Sequence, residues 1–245
     1  MKLQPLIVYE FMSNGSLDRW IYHGHRQHVL EWECRKKIIL DIAKWLAYLH
    51  EECRQKIIHL DIKPQNILLD CDFNAKIADF GLSKLVDKNQ TQVMTNMRGT
   101  PGYLAPEWLS SVITEKVDVY SFGIVPLGIV CGRKNFDISQ QEESRHLLAV
   151  FQKYWEQEKL LDIIDKDSED MQAHGPEVVE MMDVASWCLQ IDFTRRPPMS
   201  SVVKVLEGAI QVESNLNYSF IDPRTTLKDE TVLTRLQPSI LSGPR

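Results

Sequence analysis

His59-Leu60-Asp61-Ile62-Lys63-Pro64-Gln65-Asn66 is followed, 18 residues after Asp61, by Asp79-Phe80-Gly81. These two blocks supply a carboxylate base at Asp61, a cation at Lys63, and two hard oxygen ligands at Asn66 and Asp79. Phosphoryl transfer requires such a set: a base for an acceptor hydroxyl, a charge near the moving phosphate, and oxygen ligands for magnesium. Lysine suits a moving phosphate because its ammonium acts as a point charge. A lone loop aspartate is ordinarily a turn residue, and the company of Lys63, Asn66 and Asp79 lifts Asp61 out of that class. Gly99-Thr100-Pro101-Gly102-Tyr103 and Ala105-Pro106-Glu107 follow in order, a succession chance does not produce.

The composition frames this chemistry. With 245 residues, 44% hydrophobic and 25% charged, the chain can bury a substantial core as one large domain or two small ones. A net charge of −6 argues against nucleic acid as the main partner, since no basic face would release counterions. The five cysteines are odd in number and lack short pairing, so they are expected as reduced, mostly buried thiols in a cytosolic setting. Met1 to Pro5 does not begin a signal peptide, and no run of apolar residues is long enough to span a membrane.

Periodicity orders the rest. Leu6 to Phe11 is expected to be a buried strand, followed by a turn at Ser13 to Ser16, with Ser16 capping a short helix to about Tyr22. Apolar residues at Ile38, Ile39, Ile42, Trp45, Leu46 and Leu49 predict an amphipathic helix over Trp32 to Glu51. Short strands are expected at Ile57-Ile58, Ile67 to Leu69 and Lys76 to Ala78. Thr114 to Gly132 reads as a central apolar helix, and helices are also expected over His146 to Glu158, Glu177 to Gln190 and Ser200 to Val212. From there to Arg245 the pattern fades into a poorly ordered tail.

Together these motifs resemble the eukaryotic protein kinases, over roughly residues 6 to 212. The phrases Asn14-Gly15-Ser16-Leu17-Asp18, Leu46-Ala47-Tyr48-Leu49-His50-Glu51-Glu52-Cys53 and Thr114 to Gly123 resemble plant receptor-like serine/threonine kinases of the S-domain, lectin-like group. The resemblance implies an α+β kinase-like fold, mainly the helical C-lobe, with residues 1–212 as a partial kinase domain and 213–245 as a tail. It implies ATP and Mg²⁺ as cofactors, and protein substrates or receptor kinases as partners. It also implies a cytoplasmic chain, at the inner face of the plasma membrane if part of a longer receptor.

Residue by residue, the resemblance makes Tyr9 a gatekeeper at the back of an adenine pocket. Glu10 and Met12 would offer hinge groups, and Leu68 would lie beneath the ring. Lys63 and Thr100 resemble the serine/threonine branch, with Thr100 in the segment that receives the peptide. His59, Phe80 and Gly81 are supporting residues. Asp118 would accept backbone hydrogen bonds from the catalytic loop, and Glu107 would pair with Arg196.

Departures from the family pattern shape the expected activity. Only eight residues precede Tyr9, whereas roughly 80 are expected there in family members, including a Gly-rich loop, a strand Lys and its helix Glu. Lys2 cannot substitute for that strand Lys. Losing such clamps costs orders of magnitude in rate, so these residues alone are expected to be weak or inactive. The chain then reads as a fragment of a longer kinase or as a kinase-like binding module. Robust activity abolished by Asp61→Asn would defeat this expectation. Leu60 replaces a common Arg, so phosphorylation at Ser83, Thr91 or Thr95 need not be an on-switch. Pro126 interrupts the central helix at a cost of roughly 3 kcal/mol. Gly128 stands where relatives carry Glu, and Trp45 replaces a Gly with an overpacking cost of about 1–3 kcal/mol.

Overall fold

A computed structural model describes residues 8–22, 29–87, 90, 92–94, 99–110, 112–213 and 216. Helices dominate: α1 (Asp18–Ile21), α2 (Trp32–Ala47), α3 (Lys116–Cys131), α4 (Leu147–Glu156), α5 (Glu169–Ala173), α6 (Gly175–Cys188) and α7 (Met199–Leu206). The strands are two or three residues long: β1 (Gly15–Ser16), β2 (Lys56–Ile58), β3 (Ile67–Leu69), β4 (Ala75–Ile77), β5 (Lys84–Val86), β6 (Val93–Met94) and β7 (Val112–Ile113). They pair antiparallel in the orders β1-β3-β4, β2-β5 and β6-β7. Ser16 faces Leu68 and Leu69 faces Ala75, so one small sheet carries the segment between the two sequence blocks.

The core forms around α3, whose residues Val117 to Cys131 are all buried. Helices α2 and α6 pack on it, and α7 closes over α2. Gly123 permits the crossing with α6: a Cβ there would stand 2.8 Å from Leu189 Cγ and 2.9 Å from the Ala185 carbonyl oxygen. A second tie is buried and charged. Arg35 on α2 meets Asp165 at 2.8 Å with both side chains fully buried, and it also donates to the carbonyls of Leu30 and Ile129.

Several expectations need correcting. Val8 to Phe11 forms no strand; Val8, Tyr9 and Phe11 are 82–90% exposed. A strand needs a hydrogen-bonded neighbour, and among the described residues none flanks this segment. Ser16 lies in β1, and Leu17 precedes α1 without a side-chain cap. Helix α2 ends at Ala47 and continues as a π-helical turn, Tyr48–Glu52. Helix α3 runs unbroken through Pro126, since burial on every side holds a helix that a surface position would lose.

Trp45 is not overpacked: it lies 36% exposed, donates from Nε1 to the Ala75 carbonyl at 3.0 Å, and meets Tyr48 edge-on. Of the cysteines, Cys131 and Cys188 are buried, Cys34 and Cys53 are half-buried and Cys71 is exposed, all as free thiols. The tail from residue 214, apart from Leu216, lies outside the described residues, as do Lys2, Thr91 and Thr95.

Candidate active site

The loop from His59 to Asn66 hangs from α3. Asp118, buried in the first turn of that helix, accepts from the backbone N–H of His59 at 2.7 Å and of Leu60 at 2.8 Å. Its Oδ2 also meets Nε2 of buried His50 at 2.9 Å. These bonds hold Leu60 at φ 69°, a left-handed conformation costly for a branched residue. The sharp reversal delivers Asp61 to the loop's far side. His59 is buried as a brace: its Nε2 lies 3.0 Å from the Ala78 carbonyl, and its Nδ1 accepts from Asp61 N–H at 3.3 Å.

The structure brings Asp61, Lys63, Asn66 and Thr100 together. Lys63 Nζ donates to Asp61 Oδ2 at 2.8 Å and to Thr100 Oγ at 2.7 Å. Thr100 Oγ donates to Asp61 Oδ1 at 2.7 Å. Asn66 Nδ2 donates to both the carbonyl and Oδ2 of Asp61 at 2.9 Å. The Asp61 carboxylate is 8% exposed on its side chain, fixed in plane, and already holds one threonine hydroxyl on Oδ1. Its two oxygens accept from a hydroxyl, an ammonium and an amide, which together fix its orientation.

Asp79 is placed beside this group by backbone pairing. Ala78 N–H donates to the Asn66 carbonyl at 2.8 Å, joining the two motif segments. Asp79 itself is exposed and left-handed at φ 61°, with Oδ1 accepting from Gly81 N–H at 3.3 Å. A Cβ at position 81 would come within 3.1 Å of that oxygen. Phe80 packs edge-on against His59 at 4.9 Å, with 43% of its surface exposed. Asn66 spends its amide nitrogen on Asp61, leaving its carbonyl oxygen, with the Asp79 carboxylate, as a hard-oxygen pair of the kind magnesium takes. The donor set fits the metal.

The hinge candidates are less gathered. Tyr9 is 82% exposed and Met12 half-buried, whereas Glu10 pairs with Lys76 Nζ at 2.7 and 2.8 Å. Lys76 stands opposite Leu68 across β3 and β4, so Glu10 is tied to the sheet bearing Leu68. Glu107 and Arg196 meet as a bidentate pair at 2.6 and 2.8 Å. Arg196 also donates to the carbonyls of Gln190 and Lys116 and lies over the Tyr120 ring.

Sequence reasoning passed over three residues around this site. His50 is buried in the π-helical turn that follows α2, where a polar residue signals a buried partner. Ser121 Oγ donates to the Tyr103 carbonyl at 2.7 Å, and Asn135 Nδ2 donates to the Gly102 carbonyl. Both pin the segment carrying Thr100, and neither has a local sequence signal.

Comparison with known proteins identifies the family. The protein kinase domain family model matches residues 2–206, and the chain belongs to that family. The chain is 49% identical over 209 residues, 84% of its length, to the G-type lectin S-receptor-like serine/threonine-protein kinase SD2-5 of Arabidopsis thaliana. It is 44% identical over 214 residues, 85% of its length, to the G-type lectin S-receptor-like serine/threonine-protein kinase LECRK2 of Oryza sativa subsp. japonica. These alignments cover 26% of each relative, so the chain spans about a quarter of their length.

Proposed function

We propose that this chain carries the catalytic loop and peptide-binding half of a serine/threonine protein kinase that acts within a receptor-like assembly. The observation that carries this reading is the Asp61 carboxylate, held on both oxygens by Lys63, Asn66 and Thr100. Asp61 takes the proton from a serine or threonine hydroxyl, and Lys63 sets a positive charge beside it. Asn66 and Asp79 would hold Mg²⁺ with ATP; when bound, the metal offsets charge on the phosphate oxygens. Thr100 bridges base and cation and positions the acceptor segment. Tyr9, Glu10, Met12 and Leu68 would supply the adenine side, and as part of a longer receptor-like kinase the chain would act at the cytoplasmic face of the plasma membrane.

The 245 residues by themselves should transfer little phosphate from ATP to a protein substrate, and Asp61→Asn should leave that background unchanged. Fused behind the corresponding upstream kinase sequence of the Arabidopsis relative, they should transfer phosphate, and Asp61→Asn should abolish it. A fusion that keeps its activity with Asn at position 61 would refute the assignment. A second reading, a non-catalytic module that docks onto receptor kinases, is favoured by the exposed apolar side chains of Val8, Tyr9 and Phe11. Saturable one-to-one binding to such a kinase, lost in Tyr9→Asp, would support it; non-specific clumping would not.

A further inference from the structure

A cavity of about 900 Å³ opens beside the catalytic loop, lined by Asp18, Arg19, Tyr22, Gln65 and Lys134 along with the Phe11–Gly15 segment. Gln65 lies between Lys63 and Asn66, so the cavity begins four residues from the base. Its floor joins the peptide segment: the Tyr22 hydroxyl is hydrogen-bonded to that of Tyr103 at 3.3 Å. A peptide laid across Thr100 and Asp61 and running on past Tyr103 would meet this cavity.

Its charge is uneven. Lys134 sits 5.8 Å from the Tyr22 ring centroid and forms no ion pair among the described residues, although its field reaches Asp137. The next residue, Asn135, is buried and donates to Gly102, while Arg133 donates to the Ser144 carbonyl, so the backbone around Lys134 is clamped from both sides. Arg19 is exposed and likewise has no ion pair among the described residues. Asp18 is the lining carboxylate, and its Oδ1 is buried without a hydrogen-bond partner. Burial, with the Asp18 charge adding to it, pushes the Tyr22 and Tyr103 hydroxyls up, and the two cations outnumber this one carboxylate in the lining.

We propose that this cavity is a substrate subsite that selects an anionic side chain, carboxylate or phosphoryl, flanking the acceptor serine or threonine, with Arg19 and Lys134 as its specificity-determining residues. The inference rests on the kinase reading above. The neutral Gln65 adds hydrogen bonds without adding charge.

The test uses the full 245-residue chain and fluorescent peptides with one central serine, scanned at each flanking position with Ala, Lys, Glu or phosphoserine. Anisotropy should show Glu and phosphoserine peptides binding about 3- to 10-fold tighter than the Ala peptide at one position, as two exposed ion pairs imply. Phosphoserine outranking Glu there would mark phosphoryl as the preferred anion, and parity would mark carboxylate as sufficient. The gain should vanish in Arg19→Ala/Lys134→Ala and invert toward Lys peptides in Arg19→Glu/Lys134→Glu, with thermal unfolding unchanged. Equal binding of all peptides, or an acidic preference that survives the double variants, overturns the subsite but leaves the kinase reading intact. No binding of any peptide overturns both.

Discussion

Replacing Asp118 with Asn removes one charge while keeping shape, and it strikes the point from which the catalytic loop hangs. In the native chain three donors converge on this carboxylate: His59 N–H and His50 Nε2 on Oδ2, and Leu60 N–H on Oδ1. An amide offers one acceptor oxygen and one donor nitrogen, so whichever way it turns, at least one buried backbone N–H faces another donor. Each buried polar group left unsatisfied costs about 1–3 kcal/mol. The strained Leu60, at φ 69°, is held mainly by these bonds and adds a tendency to relax. A loss of about 2–4 kcal/mol in urea unfolding follows, against a typical domain stability of about 5–15 kcal/mol. Amide exchange should localise the damage, with Leu60 and Asp61 losing protection ahead of α6. A loss below about 0.5 kcal/mol with unchanged exchange at those amides would refute the argument that Asp118 suspends the loop.

Other consequences are separable. Arg196→Ala should cost about 3–5 kcal/mol by chemical denaturation, because Glu107 is left as a nearly buried charge without its bidentate partner. At Glu115 burial opposes ionisation, but the Lys56 ammonium at 2.8 Å outweighs it and holds the carboxyl below its usual value. That stabilisation is present above the unfolded value near 4.5 and is lost as pH falls through the lower folded value, so Lys56→Met should flatten acid unfolding in that window. A thiol reagent should reach exposed Cys71 first, slowed by the Asp72 carboxylate that disfavours its thiolate. Cys131, whose thiol burial pushes up to about 12, and buried Cys188 should react only on unfolding, as mass spectrometry of the labelled chain will show.

The sequence was most legible where chemistry and periodicity were both local. Ile67 to Leu69 form a strand as expected, and helices α2, α3, α4 and α6 fall within a few residues of their apolar patterns, whereas α7 stops at Leu206, well short of the expected Val212. Asp61, Lys63 and Asn66 are close in sequence, so their meeting required only a tight loop. Val8 to Phe11 failed for a different reason: an apolar run predicts strand character but cannot supply the neighbouring strand. Arg35 gave a readable warning, a charge on the apolar stripe of α2, but its partner Asp165 lies 130 residues away. Asn135 gave none, since only the return of the chain after α3 brings it to Gly102.

The central claim is that Asn66 and Asp79 present the metal–nucleotide site to Asp61. Titrating the chain with Mn²⁺ and ATP and following backbone amide signals by NMR tests it most directly, since the paramagnetic ion broadens only its neighbours. The account predicts broadening first at Asn66 and Asp79, absent in Asp79→Ala. Broadening confined to the exposed Asp70-Cys71-Asp72 turn, or unchanged in Asp79→Ala, would contradict it.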